Sequence, residues 1–378
     1  MLYLDHAATT ETRPETRQAM VPFFGEVFGN PSGIHATSRD AKNAVEEARE
    51  RAAEFMGAEH PLDIVFTGGG TEADNLAVAG TALAGGRRGG VVTTAVEHEA
   101  VLETAKFLGS LGCRVDLVGV DSAGRLAVTD VLDRVDAKTA VVSVMLANNE
   151  TGTIFPIRAV ADAVRAKSPD TVVHTDAVQA FLTEDVSIAA TGADMITLAG
   201  HKFGGPKGVG LLLAPRHIDL EPLIHGGGQE LGRRSGTHNV AAIVGMVAAM
   251  EATVRERAAT RQRIKHTRDN FEQALRAQVP DLEINGDRER RLVQHSHVRL
   301  PGITAETLLI RLDAAGVAAA AGSACHSGAI DVSHVLAAMG MAADQAAECV
   351  RFSFGWSTDP AEGTEAAYRV AAVVEELR

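Results

Sequence analysis

The chain has 378 residues, more than one hydrophobic core usually spans, so we expect one large and one smaller domain. Hydrophobic residues make up 46% and charged residues 22% of the chain, which is an ordinary globular composition. The net charge of −13 disfavours a binder of nucleic acids or anionic membranes, because such proteins are normally basic. Small molecules and protein partners remain open.

The three cysteines, Cys113, Cys325 and Cys349, are odd in number and show no CxxC spacing. This pattern disfavours a disulfide framework, a self-ligated iron–sulfur cluster and a cysteine-rich zinc site. The N-terminal sequence MLYLDHAATT shows no secretion signal, and the apolar stretch 240–250 is too short to span a bilayer. We therefore expect a cytoplasmic protein without membrane contact, in which Cys113 and Cys349 are structural.

Short β-branched runs alternate with helical segments from about residue 60 onward. The predicted strands are DIVFTG (63–68), GVVTTA (90–95), RVDLVGV (114–120), AVVSVML (140–146), VVHTD (172–176), DMITLA (194–199) and GVGLLLA (208–214). This alternation predicts an α/β domain with a mostly parallel sheet flanked by helices. The last two runs lie too close together for a helical crossover, so one antiparallel strand is expected.

The pattern changes after about residue 258, where a long charged helix over 261–278 begins a stretch of mixed helices and strands. We predict a large domain over 16–258 and a smaller α+β domain over 259–378. The N-terminal arm, residues 1–15, is expected to pack with the smaller domain. A loop rich in glycine, alanine and serine at about 320–332 carries Cys325.

Ligands of open α/β sheets bind beyond the carboxyl ends of the strands, and a glycine run lies at one such end. In TGGGTEADN (67–75) it exposes backbone N–H groups where a helix begins, which suits a phosphate. Thr71 can cap the helix and donate its hydroxyl. The alternative is a simple glycine turn in which Thr71 acts only as a cap.

Three further strand ends carry groups with possible chemistry. Asp176 could hold a protonated ring nitrogen or a metal, or cap the next helix. Lys202 sits between His201 and glycines, and a partly buried lysine can form a Schiff base. His98 begins a helix, where a structural role is also common. Together, a phosphate cradle, a lysine, an acid and an aromatic base at one sheet edge indicate pyridoxal phosphate.

With these residues identified, the sequence resembles the cysteine desulfurases of the NifS/IscS type, in the class V aminotransferase superfamily. The resemblance covers nearly the whole chain, in order, through YLDHAATT, GNPSGIH, GGGTEADN, EHEAV, NNETG, HTDAVQ, GHKFGGPKG, GGGQELGRRSGT, GSACHSG and VRFSFG. It implies a pyridoxal-phosphate-dependent transferase of fold type I, whose large domain holds a mostly parallel seven-stranded sheet. It also implies a homodimer.

Matching positions carry the family's cofactor roles over to this chain. The resemblance implies that Lys202 is the Schiff-base lysine and that His98 stacks on the cofactor ring and assists proton transfer. Asp176 would pair with the pyridine nitrogen. Asn149 and Gln179 would bond the ring oxygen or its surroundings.

The phosphate group has its own implied set of contacts. Gly70, Thr71 and His201 would bind it within one subunit, and Thr237 would reach the phosphate of the neighbouring subunit. Ala199 departs from the pattern, because many relatives have serine three residues before the lysine. One phosphate hydrogen bond, on the order of 1 kcal/mol net, is then missing or replaced.

The resemblance also implies the reaction. Arg351, with help from Asn30, would bind the carboxylate of L-cysteine, and Cys325 would attack the substrate sulfur. The products would be L-alanine and a persulfide on Cys325, which passes to an acceptor protein. His326 stands where threonine or serine is more usual, and an imidazolium there would favour the thiolate.

Several alternatives share part of this pattern. A selenocysteine lyase or a C–S lyase could use every cofactor residue, but selenocysteine cleavage does not strictly need the Cys325 thiol. An aminotransferase would have no evident use for it. A metal hydrolase lacks support, since the 14 histidines form no HExxH motif. A non-enzymatic scaffold would not need these groups together at strand ends.

The sulfur acceptor is not identified by the sequence. Iron–sulfur cluster assembly, tRNA thiolation and a specialised biosynthetic pathway all remain open. The chain ends at VVEELR, without the extension that IscS-type members use to dock a scaffold protein. That ending makes direct service to an iron–sulfur scaffold a weaker expectation than sulfur donation itself.

Overall fold

The computed structural model describes residues 1–322 and 333–378, and its strands alternate with helices over most of the chain. The strands are β1 (Leu2–Tyr3), β2 (Ile64–Thr67), β3 (Gly90–Thr94), β4 (Val115–Val118), β5 (Thr139–Ser143), β6 (Val172–Asp176), β7 (Met195–Ala199), β8 (Gly210–Leu213), β9 (Glu283–Ile284), β10 (His295–Arg299), β11 (Val317–Ala318) and β12 (Cys349–Ser353). The helices are α1 (Pro14–Met20), α2 (Ala36–Met56), α3 (Gly70–Leu83), α4 (Glu99–Ser110), α5 (Val128–Leu132), α6 (Ile157–Lys167), α7 (Ile188–Thr191), α8 (Val240–Gln278), α9 (Ala305–Ala314), α10 (His334–Ala338), α11 (Ala343–Ala346) and α12 (Pro360–Leu377).

A seven-stranded sheet with the order β2-β8-β7-β6-β5-β3-β4 forms the centre of the larger part. Its strands are parallel except β8, which pairs antiparallel with both β2 and β7. The predicted mostly parallel sheet with one reversed strand is therefore confirmed. Because most strands point the same way, their carboxyl ends meet at one edge of the sheet, where ligands bind in such folds.

Burial of both sheet faces explains the continuous apolar runs that mark these strands. Every residue of β2, β3, β7 and β8 is buried. Helices cover the faces with narrow apolar stripes, as in α6, where Ile157, Val160, Ala161 and Val164 are buried at helical spacing. The sheet core is thereby closed on both sides, and polar groups accumulate at the strand ends.

Helix α8 is one continuous helix of 39 residues that begins at its cap Asn239. The predicted domain boundary near residue 258 lies inside it. The composition changes there because the first half of the helix is buried on most sides, whereas the second half exposes charged residues. The division at residue 258 stays a prediction, since the chain does not break at that point.

The C-terminal part contains an antiparallel sheet with the order β12-β10-β9, together with the N-terminal arm. In the arm, β1 pairs parallel with β11, and Asp5 forms a bridge with Ser353 at the end of β12. The arm also reaches the larger part, because Arg13 N donates to Gly204 O at 2.9 Å. It therefore contacts both parts of the chain beside the strand ends.

Two further sequence expectations concern cysteines and membrane contact. Cys113 and Cys349 are both free and buried, and burial raises the pKa of Cys349 to about 12. Both positions fit a structural role, while Cys325 lies outside the described residues. Within 1–322 and 333–378, no helix combines the length and the apolar character needed to cross a bilayer.

Buried histidines predict an acid-sensitive component of stability. Burial in β10 lowers the pKa of His297 from 6.5 to about 3. Below pH 6.5 the unfolded chain binds a proton here that the folded chain does not, so this contribution is lost as the pH falls towards 3. When the pH falls from 7 to 5, the free energy of unfolding decreases in both proteins. We expect this decrease to be about 2 kcal/mol smaller in His297→Asn than in the wild type.

Urea titrations of both proteins at the two pH values measure this difference. His266→Asn is the matched control, because it removes a histidine that is exposed on α8. Parallel pH dependences for the wild type and His297→Asn would show that His297 titrates normally in the folded protein.

Candidate active site

Nine of the predicted site residues line one cavity of about 300 Å³ at the carboxyl ends of the strands. They are Gly70, Thr71, His98, Asn149, Asp176, Gln179, His201, Lys202 and Arg351. Asn30 and Thr237 are exposed and do not line it. Cys325 and His326 lie outside the described residues, and Gly322 and His334, which flank the undescribed stretch, both border the cavity.

The start of α3 forms an anion cradle. Gly69 occupies the cap position and no side chain caps the helix, so the first N–H groups keep free donor capacity. A Cβ on Gly70 would lie 3.2 Å from both Ala199 Cβ and Val178 Cγ2, so only glycine lets the backbone pack this closely. The expectation that Thr71 caps the helix is wrong, because the cap position lies two residues earlier, at Gly69.

Lys202 follows β7 and reaches into the cavity from the side of the N-terminal arm. Its Nζ donates to Ala7 O and, at 3.0 Å, to Ala8 O. Gln179 Nε2 donates to the same Ala7 carbonyl at 2.9 Å. His201 Nδ1 lies 3.2 Å from Thr9 Oγ1, so the arm forms one wall of the site.

The electrostatics around Asp176 are set by burial and by the neighbouring side chains of His98 and Lys202. Asp176 ends β6, and its Oδ1 accepts from Val178 N at 2.8 Å. Burial raises the pKa of Asp176, and the charges of His98 and Lys202 act in the opposite direction. Burial also lowers the pKa of His98, whose Nδ1 accepts from Ala100 N at 3.1 Å as the cap of α4. The proton of neutral His98 is then on Nε2.

A second buried acid, which the sequence analysis missed, lies beside Asp176. Asp74 lines the cavity, and burial, followed by the charge of Asp176, raises the pKa of Asp74 well above its usual value. Thr197 bonds the Asp74 carboxyl and lies 3.0 Å from His174 Nε2. His174 is neutral, since burial lowers its pKa to about 3. Asp74 lies in the motif TEADN and His174 in the motif HTDAVQ, and both motifs also contain predicted site residues. This closeness in sequence could have identified Asp74 and His174 as site residues.

Arg351 supplies a buried cation at the opposite side of the cavity. It is 3% exposed, and its two terminal nitrogens donate to Asn149 O and to Asp5 Oδ1, each at 2.8 Å. Asp5 was not predicted as a site residue. Asn30, predicted to assist Arg351, instead accepts from Ser32 N at 3.0 Å on the surface, so its substrate role stays a prediction.

Glu150 contacts both described residues that flank the undescribed stretch. Ser333 Oγ donates to Glu150 Oε2 at 2.6 Å, and a Cβ on Gly322 would lie 2.7 Å from the same oxygen. Burial raises the pKa of Glu150. This carboxyl therefore lies close to both Ser333 and Gly322.

The residues of the cavity fit pyridoxal phosphate. The uncapped start of α3 matches a phosphate, and the Asp176 carboxyl matches a ring nitrogen that must stay protonated. Lys202 places its amine in the same cavity, and Ala199, Val178 and Met145 provide small or apolar surface for a ring. Arg351 adds a site for a substrate carboxylate.

Comparisons with known proteins agree with this chemistry. The family model "Aminotransferase class-V" matches residues 2–362. A "Cysteine desulfurase IscS" of Clostridium botulinum is 40% identical over 357 residues, which are 94% of this chain and 89% of the relative. A "Cysteine desulfurase IscS" of Dictyoglomus turgidum is 39% identical over 378 residues, covering 100% of this chain and 95% of the relative.

Solved structures are similar over almost the full length. A "NIFS-LIKE PROTEIN" superimposes with a TM-score of 0.92 at 34% identity, covering 99% of each chain. A structure titled "SspA in complex with cysteine" gives a TM-score of 0.79 at 31% identity, covering 94% of this chain and 99% of the other. The sequence relatives and the structural relatives thus point to the same group of enzymes.

Asp176 is expected to dominate cofactor binding among the buried acids. Asp176→Asn removes the charge that pairs with the ring nitrogen, so we expect the affinity for pyridoxal phosphate to fall by roughly 10- to 100-fold. Titration of the cofactor-free protein, followed by visible absorbance, measures the change. Asp74→Asn is the matched control and should bind almost normally, because burial and the charge of Asp176 raise the pKa of Asp74 well above its usual value. Equal losses in both variants would contradict this division of charge.

Proposed function

The chain belongs to the class-V aminotransferase family, and we propose that it is a pyridoxal-phosphate-dependent cysteine desulfurase. The enzyme takes sulfur from L-cysteine and releases L-alanine. One observation carries the proposal: a lysine, a buried carboxyl, an uncapped helix start and a buried arginine line the same cavity. The names of the relatives supply the substrate, because they are cysteine desulfurases over nearly their full length.

Some side chains of the cavity are proposed to bind the cofactor, and another is proposed to transfer protons. When bound, pyridoxal phosphate supplies the electron sink that allows bonds at the amino-acid carbon atoms to break. Lys202 is the amine that anchors it, and Asp176 keeps its ring nitrogen protonated. His98, with its proton on Nε2, would give and take a proton at the reacting atoms of the substrate.

Substrate orientation depends on Arg351. Its guanidinium is held by Asp5 and by the Asn149 carbonyl, and its buried Nε has no hydrogen-bond partner among the described residues. A carboxylate of L-cysteine satisfies such a donor and fixes the amino acid against the lysine. The amino-acid backbone is thus recognised by a group that is already ordered.

Sulfur leaves the substrate by transfer to Cys325. The Cys325 thiolate attacks the sulfur of L-cysteine, an S–S bond forms and the Cβ–S bond breaks. The electron pair of the broken bond remains on the carbon, which takes a proton to become the methyl group of L-alanine. Cys325 is left as a persulfide, whose outer sulfur passes to an acceptor protein. We place the acceptor in iron–sulfur cluster assembly or tRNA thiolation, and the enzyme in the cytoplasm.

The protein is proposed to act as a homodimer. Large apolar side chains that are well exposed in one chain support a covered surface. These are Phe24 (73%), Phe28 (75%), Ile34 (91%) and Leu231 (60%). The phosphate cradle also opens on a second cavity of about 710 Å³, bordered by Lys207, Leu223 and Ile224. Thr237, exposed in its own chain, is proposed to reach the cradle of the other subunit through this opening.

Sulfur release tests the desulfurase function. Wild-type enzyme is expected to release equal amounts of alanine and sulfide from L-cysteine when a thiol reductant is present. Cys325→Ala should lose at least about 100-fold of this activity while keeping the visible absorption of the bound cofactor, because only the nucleophile is removed. Lys202→Ala should lose both the activity and the normal absorption.

Cys113→Ala is the control, since Cys113 is buried away from the cavity and its removal should preserve turnover. If Cys325→Ala keeps full turnover of L-cysteine, the enzyme is a lyase of cysteine or selenocysteine instead of a persulfide-forming desulfurase.

Leu231→Asn tests the dimer. Leu231 has a φ of 56°, a left-handed conformation that asparagine tolerates better than leucine, so the substitution does not strain the monomer. The substitution removes one apolar Leu231 side chain per subunit from the proposed interface. We expect this loss to raise the dimer dissociation constant at least about tenfold. Sedimentation velocity over a concentration series measures it. Ile310→Asn, on the exposed face of α9, is the control, and equal effects of both variants would argue against an interface at Leu231.

A further inference from the structure

Two neighbouring residues in the segment 225–239 have a left-handed backbone. Glu230 has a φ of 51° and Leu231 has a φ of 56°, and they are the non-glycine residues with positive φ among those the structure describes. This conformation is unfavourable for side chains with a Cβ, and it persists only where the surroundings determine it. Strain of this kind, outside the cavity, calls for a reason.

A buried ion pair fixes the strained residues. Arg49 of α2 donates to Glu230 Oε2 at 2.7 Å and to Oε1 at 2.8 Å, a bidentate pair. His238 Nε2 lies 2.5 Å from Oε1, and Phe66 N donates to Oε2 at 3.3 Å. Burial would raise the pKa of Glu230, but the bonds from His238 and Arg49 outweigh it and lower that pKa, so the carboxylate is ionised.

The same segment is tied to the protein at two further points. Arg233 donates to the carbonyls of Ala214, Pro215 and Ile218. Arg234 pairs at 2.8 Å with Glu72, in the first turn of the helix that forms the phosphate cradle. Between these anchors the segment presents Leu231 and Thr237 to the outside. The exposed hydroxyl of Thr237 therefore lies between anchored residues, because the adjacent His238 is also bound to Glu230.

The phosphate cradle provides the reason for this rigidity. Ala199 offers no hydroxyl there, and the cradle opens sideways on the 710 Å³ cavity, so a further donor from outside the subunit can reach it. Arg49 also donates to Ile64 O at 2.6 Å in β2, the strand that leads into the glycine run. Replacing a buried ion pair with apolar groups often leaves protein stability unchanged or increases it. The Arg49–Glu230 pair is therefore better explained by the position that it imposes on the segment than by a contribution to stability.

We propose that the Arg49–Glu230 pair is a positioning device that aims Thr237 at the phosphate of the cofactor bound in a second copy of the chain. The inference rests on the proposed function and deepens it by naming the residues that set the contact between subunits. Arg49 and Glu230 touch neither the substrate nor the cofactor in this arrangement. They act through Thr237.

The experiment compares pyridoxal phosphate with pyridoxal, which lacks the phosphate, as probes of the cofactor-free dimer. Glu230→Gln keeps the shape but loses the charge that orders the segment, so we expect it to bind pyridoxal phosphate roughly 5- to 20-fold more weakly, as for one lost charge-assisted hydrogen bond. Binding of pyridoxal should be unchanged. Glu272→Gln is the matched control, because Glu272 forms a buried pair with Arg291 at 2.7 Å away from this segment.

A double-variant comparison separates a positioning role from a general structural one. Thr237→Val should reproduce the phosphate-selective loss, and Glu230→Gln combined with Thr237→Val should bind no more weakly than Thr237→Val alone. Additive losses, or a loss for Glu230→Gln with both probes, would overturn the proposal. If Glu230→Gln does not fold, Arg49→Lys replaces it, because lysine cannot form the bidentate pair.

Failure of this inference is distinguishable from failure of the proposed function. The binding measurement needs no turnover, so a wild type that binds the cofactor but releases no sulfide overturns the desulfurase and leaves the positioning role standing. Phosphate-selective losses that are absent in both Glu230→Gln and Thr237→Val overturn the positioning role and leave desulfurase activity standing.

Discussion

The site depends on one constraint, which is that a buried carboxylate must keep its charge at the edge of a parallel sheet. Burial raises the pKa of Asp176, and the neighbouring Lys202 and His98 act in the opposite direction. Asp74, one turn into α3, has other carboxyls as charged neighbours, and its pKa rises well above the usual value. His174, between them, stays neutral with a pKa of about 3. Burial raises the pKa of both acids, and their neighbours differ, so one residue type meets two electrostatic environments in the same cavity.

The N-terminal arm connects this charge arrangement to substrate binding. Its Ala7 carbonyl accepts from both Lys202 and Gln179, and Asp5 pairs with Arg351. The arm thus contacts the cofactor lysine and the carboxylate-binding arginine at once. Because β1 and Asp5 also pair with strands of the C-terminal part, displacement of the arm would disturb both ends of the cavity together.

The sequence was sufficient for features that follow from strand ends. The reversed strand was predictable from the short connection after β7, and Lys202 and Asp176 follow directly from apolar runs. Residues brought in by long-range pairing were not predictable: Asp5 reaches Arg351 only through the register of the arm. The start of α3 was misassigned by two residues, because a run of glycines leaves the cap position undefined by side-chain type. The composition change near residue 258 marked a change in burial within α8.

Two glutamates show how the fold fixes segments that hydrophobic packing alone would leave free. Glu150 holds Ser333 and lies against Gly322, where the chain borders the cavity. Glu230 holds the segment that carries Thr237, and it does so as an ionised carboxylate that receives two bonds from Arg49. A directional bond fixes orientation, whereas apolar contact mainly fixes proximity. The proposed contact of Thr237 with a phosphate in another subunit needs a fixed orientation, and this need gives a reason for retaining strain at Leu231 instead of relieving it with a glycine.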